Sequence, residues 1–145
     1  MADTLRTRAH LRELVEGYAL AVDRGDADAA ALLFTPYGEL VLFMNPASGE
    51  PTGLRRGRDE IRAALGQLAA YQSTHHAISA TRSEVHGLDA TGETSCVAHH
   101  FTAERDHVLY IRYLDGFSRG QDGEWRFQRR ELHVLDVMDI ERSRP

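Results

Sequence analysis

One cysteine, Cys96, stands in 145 residues, so no internal disulfide can form and no paired-cysteine zinc spacing exists. No apolar stretch approaches the roughly 20 residues of a membrane-spanning helix. No leader-type apolar segment precedes the first helix, and the reading that follows is a cytoplasmic protein with no membrane partner. Positive charge is not in excess either. Seventeen basic residues against 22 acidic ones give a formal net charge of −5, which leaves nucleic acid without an electrostatic footprint. The dinucleotide fingerprint GxGxxG and the phosphate loop GxxxxGK are missing. So are HxH and HExxH, and neither a metal nor any other cofactor is expected.

What is present is ordinary for a globular chain: 42% hydrophobic and 27% charged residues. The length suits a single domain over residues 1–145 that buries a core without covalent staples. Leu11, Leu14, Val15, Tyr18 and Val22 form the i, i+3, i+4, i+7 stripe of an amphipathic helix, which Gly25 ends. Asp26 then caps a second helix from Asp28 to Phe34, stopped by Pro36. Tyr37 to Met44 reads as a strand and Asn45 to Gly57 as a loop, rich in Gly, Pro, Ser and Thr. Asp59 opens a third helix carrying Ile61, Leu65 and Leu68. Beyond Tyr71 the rhythm becomes that of long strands, Thr74–His86, Glu93–Glu104, Val108–Arg119 and Trp125–Ile140, broken at GLDATG, ERDH and GQDG. Three helices followed by a strand meander make an α+β layout. A strongly curved, mainly antiparallel sheet wrapped around the helices would close a cone.

The residues with chemistry in them are few. Asp23 lies in the last turn of the first helix with Tyr18 five residues before it. A carboxylate there suits a solvated helix end, or an imidazole held opposite it. His75 and His76 are adjacent on a strand and so point to opposite faces. His76 shares its face with Ile78 and Ala80, which favours it as the inward residue. In the second tandem, His99 interrupts the row Val97, Phe101, while His100 lies with Cys96, Ala98 and Thr102. His99 is therefore expected as a second pocket residue, and Tyr113 as a hydroxyl in the same interior or simply as core. Asp23, an imidazole and a phenol are the equipment for cofactor-free proton transfer.

Nearly the whole chain resembles the SnoaL-like branch of the nuclear transport factor 2-like superfamily. The matching pieces are YALAVDRGDADAAALLF across the first two helices, GRDEI opening the third, THHAIS at a strand start, and DGEWRFQRRELHVLDV at the end. The resemblance implies a cone-shaped fold with a deep apolar cavity. Ketosteroid isomerases of this superfamily place an aspartate base shortly after the first strand, where this chain has Asn45, and an amide is no base. Scytalone dehydratase, the bacterial bile-acid dehydratase and hexachlorocyclohexane dehydrochlorinase pair an Asp late in the first helix with a His opening the strand after the third helix. Asp23 and His76 fall on those positions, and Tyr18 keeps the bile-acid enzyme's spacing. The implied activity is β-elimination on a small hydrophobic substrate with Asp23, His76 and Tyr18 catalytic. His99, Tyr113, Phe43 and Asn45 are the expected substrate contacts. Polyketide ring closure, isomerisation and a non-catalytic binding module stand as alternatives. A homo-oligomer, trimer or dimer, is expected from the wide sheet and from the resemblance.

Overall fold

The computed structural model describes residues 1–143. Helix α1, Ala2–Asp23, buries Leu11, Leu14, Val15, Tyr18 and Val22 along the stripe seen in the sequence. Its end is set by Gly25 at φ +72°, a left-handed position that a side chain would strain. Gly25 N–H donates to Val22 O and Asp26 N–H to Ala21 O, a Schellman closure that holds Asp23 in the last helical turn. Asp26 then accepts from Ala29 N–H at 3.0 Å and caps α2, Ala27–Leu32.

Several boundaries differ from those expected: the first strand begins at Phe34 rather than Tyr37, the third helix at Gly57 rather than Asp59, and the second of the long strands at Asp89 rather than Glu93. Helix α2 stops at Leu32 rather than Phe34, because Phe34 opens strand β1, Phe34–Phe43. The Arg58 guanidinium donates twice to Phe34 O, and Phe127 N–H donates to Leu33 O. These partners draw the backbone out of the helix and onto the sheet. Pro36 sits inside β1, at the irregular register between Phe34 and Glu39 where a missing N–H costs no ladder bond. The expected loop from Asn45 to Gly57 contains a short strand, β2, Gly53–Arg56, paired antiparallel with β1. Helix α3, Gly57–Gly66, follows at once through Gly57 at φ +77°, and a 3₁₀ turn over Gln67–Ala70 extends it.

The long strands are β3, Ser73–His86; β4, Asp89–Phe101; β5, Arg105–Arg119; and β6, Trp125–Glu141. They join one six-stranded sheet in the order β2-β1-β6-β5-β4-β3, antiparallel except for the parallel β1–β6 pair. Register shifts at Ile78/Thr81, Tyr110/Ile111 and Gly116/Phe117 add residues to one strand of a pair, which bends and twists the sheet. The helices fill the concave side, where Leu11, Val15, Tyr18, Phe34, Leu40, Ile61, Ala98, Ile111, Tyr113 and Phe127 form one core. This is the curved α+β layout expected from the strand pattern. No helix among the described residues is long and apolar enough to cross a membrane.

Candidate active site

The last turn of α1 meets the start of β3, the free edge strand, and there Asp23 is held by three groups. Oδ1 lies 2.7 Å from His76 Nδ1 and accepts from the Thr74 hydroxyl at 3.0 Å, while Oδ2 accepts from His76 N–H at 2.8 Å. The His76 side chain is 6% exposed and that of Asp23 19%, so the pair sits at the boundary between interior and solvent. With Nδ1–H donated to the carboxylate, Nε2 is the basic nitrogen. Burial lowers the pKa of His76 below the ordinary value, and Asp23 offsets only part of that shift. The imidazole is thus neutral and able to take a proton at neutral pH. His75 turns to the other face; its side chain is 66% exposed, and its Nδ1 stays 3.9 Å from Asp23 Oδ2.

His100, not His99, is the inward member of the second tandem. It is buried, with its ring 5.6 Å from that of His76 and 4.9 Å from Tyr71. Its Nε2 has no hydrogen-bond partner among the described residues. Burial, then the neighbouring His76 and His107, pull its pKa down to about 4. Between pH 6.5, ordinary for histidine, and pH 4, the unfolded chain takes up a proton that folded His100 refuses, so stability falls as pH falls. We expect a loss on the order of 2 kcal/mol across that window, allowing for residual solvent access. Urea unfolding at stepped pH checks this: His100→Phe should flatten the acid limb relative to wild type, and an unchanged limb would refute the assignment.

Deeper still is a buried cation that sequence reading missed. Arg130 is 0% exposed and forms an ion pair with buried Asp115, Nε to Oδ1 at 2.9 Å and Nη2 to Oδ2 at 3.3 Å. Its guanidinium lies 3.7 Å from the Tyr113 ring centroid, 4.4 Å from Tyr18 and 4.5 Å from Phe127. Nη1 is buried without a hydrogen-bond partner among the described residues. Burial raises the Asp115 carboxyl above its ordinary range, with Arg130 opposing. Burial likewise pushes the Tyr18 phenol up to about 12 and Tyr113 well above 10, and the Cys96 thiol up to about 12, against the pull of Arg130. All three are protonated donors, and Cys96 is no nucleophile. The Arg130 charge is also felt at His76, so these groups share one interior.

A cleft of about 240 Å³ opens between the end of α1 and the 3₁₀ turn, lined by Val22, Asp23, Leu65, Leu68, Tyr71 and Thr74. Asp23 and Thr74 reach this cleft, while His76 lies behind them and is not among its lining residues. A larger cleft of about 470 Å³ lies against the N-terminal half of α1, lined by Arg8, Arg12, Thr81, Arg82 and Glu84.

The sequence profile of the SnoaL-like domain matches residues 3–131. The chain belongs to the SnoaL-like domain family. A scytalone dehydratase candidate from Novosphingobium aromaticivorans is 26% identical, with 97% of this chain and 92% of that one covered and a TM-score of 0.82. A Mycobacterium tuberculosis protein of unknown function is 25% identical over 92% of this chain and 74% of its own, at a TM-score of 0.79. Hexachlorocyclohexane dehydrochlorinase LinA-type3 from Novosphingobium barchaimii superposes at a TM-score of 0.81 over 96% of this chain and 93% of its own, at 16% identity, and so shares the fold. No curated protein sequence matches the chain.

Other expected residues of this SnoaL-like chain lie elsewhere. Phe43 follows inward-facing Leu40 and Leu42 by one position, so it turns outward and stacks on His133 at 4.1 Å. Asn45 is exposed, its Oδ1 accepting from Ala47 N–H in a tight turn. His99 is on the outer face, its Nδ1 2.8 Å from Asp106 Oδ2. Tyr18 and Tyr113 are inside but packed edge-on against each other, centroids 6.1 Å apart. The string Gly116-Phe117-Ser118-Arg119-Gly120 spells GxSxG. It is the end of β5 running into a hairpin, with Ser118 Oγ donating to Gln128 Oε1 at 3.4 Å. A nucleophile elbow requires a strand-to-helix turn, which this segment lacks.

Proposed function

We propose that the protein is a cofactor-independent acid–base enzyme acting on a small, mostly apolar molecule, by β-elimination of the dehydratase type. The observation that carries this reading is the 2.7 Å contact from His76 Nδ1 to Asp23, which leaves a neutral, largely buried imidazole with Nε2 as its base. Family membership and the scytalone dehydratase candidate at 26% identity support the same class.

In this reading His76 Nε2 removes a proton from carbon beside a carbonyl, and the C–H electron pair becomes a C=C bond as hydroxide leaves the neighbouring carbon. The imidazolium, steadied by Asp23, returns the proton to that hydroxide and water departs. Behind the pair, the buried Tyr18 phenol and the Arg130 cation 4.4 Å from its ring make the interior electropositive and rich in donors. Preorganised donors of this kind act strongly where water is excluded. Neutral His100 offers a second imidazole beside the first. The cleft beside Asp23, about 240 Å³, is smaller than the roughly 300–1,000 Å³ of drug-sized pockets, so the approach to the pair on that side suits a small substrate.

The test is a panel of small β-hydroxy ketones and esters incubated with the protein and followed by mass spectrometry for loss of water. Turnover of any of them supports the reading, while tight binding without turnover across the panel favours a binding module. We also infer a homo-oligomer, since Tyr110, Met138 and Ile140 remain partly exposed along β5 and β6. Sedimentation should show a dimer or trimer at micromolar concentration, and a stable monomer would count against it.

A further inference from the structure

The convex face of the sheet carries a second pair of imidazoles, which the chemistry of the interior does not use. His75 on β3 and His99 on β4 are direct partners across the antiparallel ladder. Directly opposed residues have Cβ atoms about 4.5–5.5 Å apart on one face. The two ring centroids are 6.4 Å apart and the planes only 31° from parallel. Each ring turns its Nδ1 toward a carboxylate: His99 Nδ1 is 2.8 Å from Asp106 Oδ2, and His75 Nδ1 is 3.9 Å from Asp23 Oδ2. At 2.8 Å the Asp106 carboxylate selects the His99 tautomer whose lone pair is on Nε2, which is how metal-binding histidines are oriented; His75 Nδ1 is beyond hydrogen-bond reach of Asp23.

The two ligands differ in mobility. His99 is fixed, hydrogen-bonded to a half-buried Asp106 and stacked on Phe101 at 5.7 Å with an 11° tilt. His75 is two-thirds exposed on an edge strand, and its ring makes no hydrogen bond among the described residues. Nitrogen–metal distances of about 2.0–2.1 Å require both Nε2 atoms to turn toward one ion, and the exposed His75 side chain has the rotamer freedom to do so.

We propose that His75 and His99 form a two-histidine site for a late divalent transition-metal ion, with Cu²⁺ bound most tightly and Zn²⁺ and Ni²⁺ less so. Imidazole suits these ions, and their intrinsic order places Cu²⁺ first. Among the described residues no group of three histidine, cysteine or carboxylate side chains converges on one point, so water completes the coordination sphere. Both carboxylates that face the pair, Asp23 from α1 and Asp106 from β5, are negative and favour a cation. His76 on the same strand turns inward, and the nearby Arg142 is drawn over the Phe101 ring at 5.0 Å. Binding must weaken in acid, because protons compete for the ligand nitrogens. The site is independent of whether the interior dyad is catalytic.

The experiment is a titration of the purified protein with Cu²⁺ at neutral pH, read by electron paramagnetic resonance, with Zn²⁺ affinity measured in parallel by calorimetry. One Cu²⁺ with two equatorial nitrogens is expected. His75→Ala, which removes an exposed side chain and should fold normally, and His99→Ala should each weaken Zn²⁺ binding at least about tenfold. Asp106→Asn should weaken it about 10- to 100-fold, the usual cost of losing such a supporting carboxylate. His76→Ala should leave it unchanged. An unaltered copper spectrum in the His75→Ala/His99→Ala double variant, or no stoichiometric binding in the wild type, would overturn the assignment.

Discussion

Replacing His76 by alanine should reduce turnover of the true substrate by about 10²- to 10⁴-fold, the contribution a positioned base makes. The substitution leaves the main-chain N–H of residue 76, which Asp23 Oδ2 accepts at 2.8 Å, so the helix end stays fastened to β3. Circular dichroism should therefore show a folded protein, and ligand affinity should change far less than kcat. Asp23→Asn attacks the same step by another route. An amide no longer enforces the Nδ1–H tautomer or stabilises the imidazolium, so kcat should again fall with little change in KM. The pH profile of kcat/KM gives an independent check. The base must be neutral, so activity falls as pH falls through the pKa of His76. Because burial outweighs Asp23, that midpoint should lie below the ordinary 6.5. Full activity in His76→Ala would remove the acid–base mechanism altogether.

Arg130→Met should destabilise the fold by about 3–5 kcal/mol, the range for breaking a buried ion pair from one side. The cost comes less from the lost attraction than from what remains, an Asp115 carboxylate that is 4% exposed and has lost its counter-ion. Asp115→Leu should cost a similar amount, because arginine cannot shed its proton to escape. All 17 basic residues of this chain are arginines. The double variant should recover most of the loss, since two apolar groups need no partner, and the recovery measures the coupling. Urea unfolding of the four proteins provides the cycle. Single variants that each lose under about 1 kcal/mol would mean that water reaches the pair and screens it. If Arg130 also supports the reacting oxygen, the double variant should regain stability without regaining turnover.

The elements themselves were legible because their periods were clean. The stripe through Leu11, Val15, Tyr18 and Val22 fixed the first helix face, and the Gly25–Asp26 ending placed Asp23 correctly. The sheet's faces were harder to read, because each extra residue at a bulge reverses the alternation that follows it. Ala80, which plain alternation puts beside His76, is exposed because the register shifts after Ile78. Arg130 hides behind the shift between Gly116 and Phe117, which leaves Gln128 unpaired and turns an arginine inward two positions later. In β4 there is no such shift, and hydropathy itself misleads. Thr94, Cys96, Ala98 and His100 face inward, leaving the larger Val97 and Phe101 half-buried on the convex face. Their bulk made His99 look like the inner histidine. Strand β2 was invisible because glycine and proline dominate the segment that contains it.

The hydrogen bond from His76 N–H to Asp23 has a meaning apart from chemistry. Strand β3 closes the sheet on one side, and an edge strand of 14 residues offers its outward N–H and C=O groups to any passing extended chain. Asp23 occupies one of those N–H groups with a carboxylate, and His75 Nδ1 stays close to the same oxygen. A negative charge clasped to the rim of a sheet repels the rim of another molecule. A carboxylate in that position should oppose edge-to-edge aggregation whether or not it orients a base, and Asp23→Ala should remain soluble to a lower concentration than His76→Ala does.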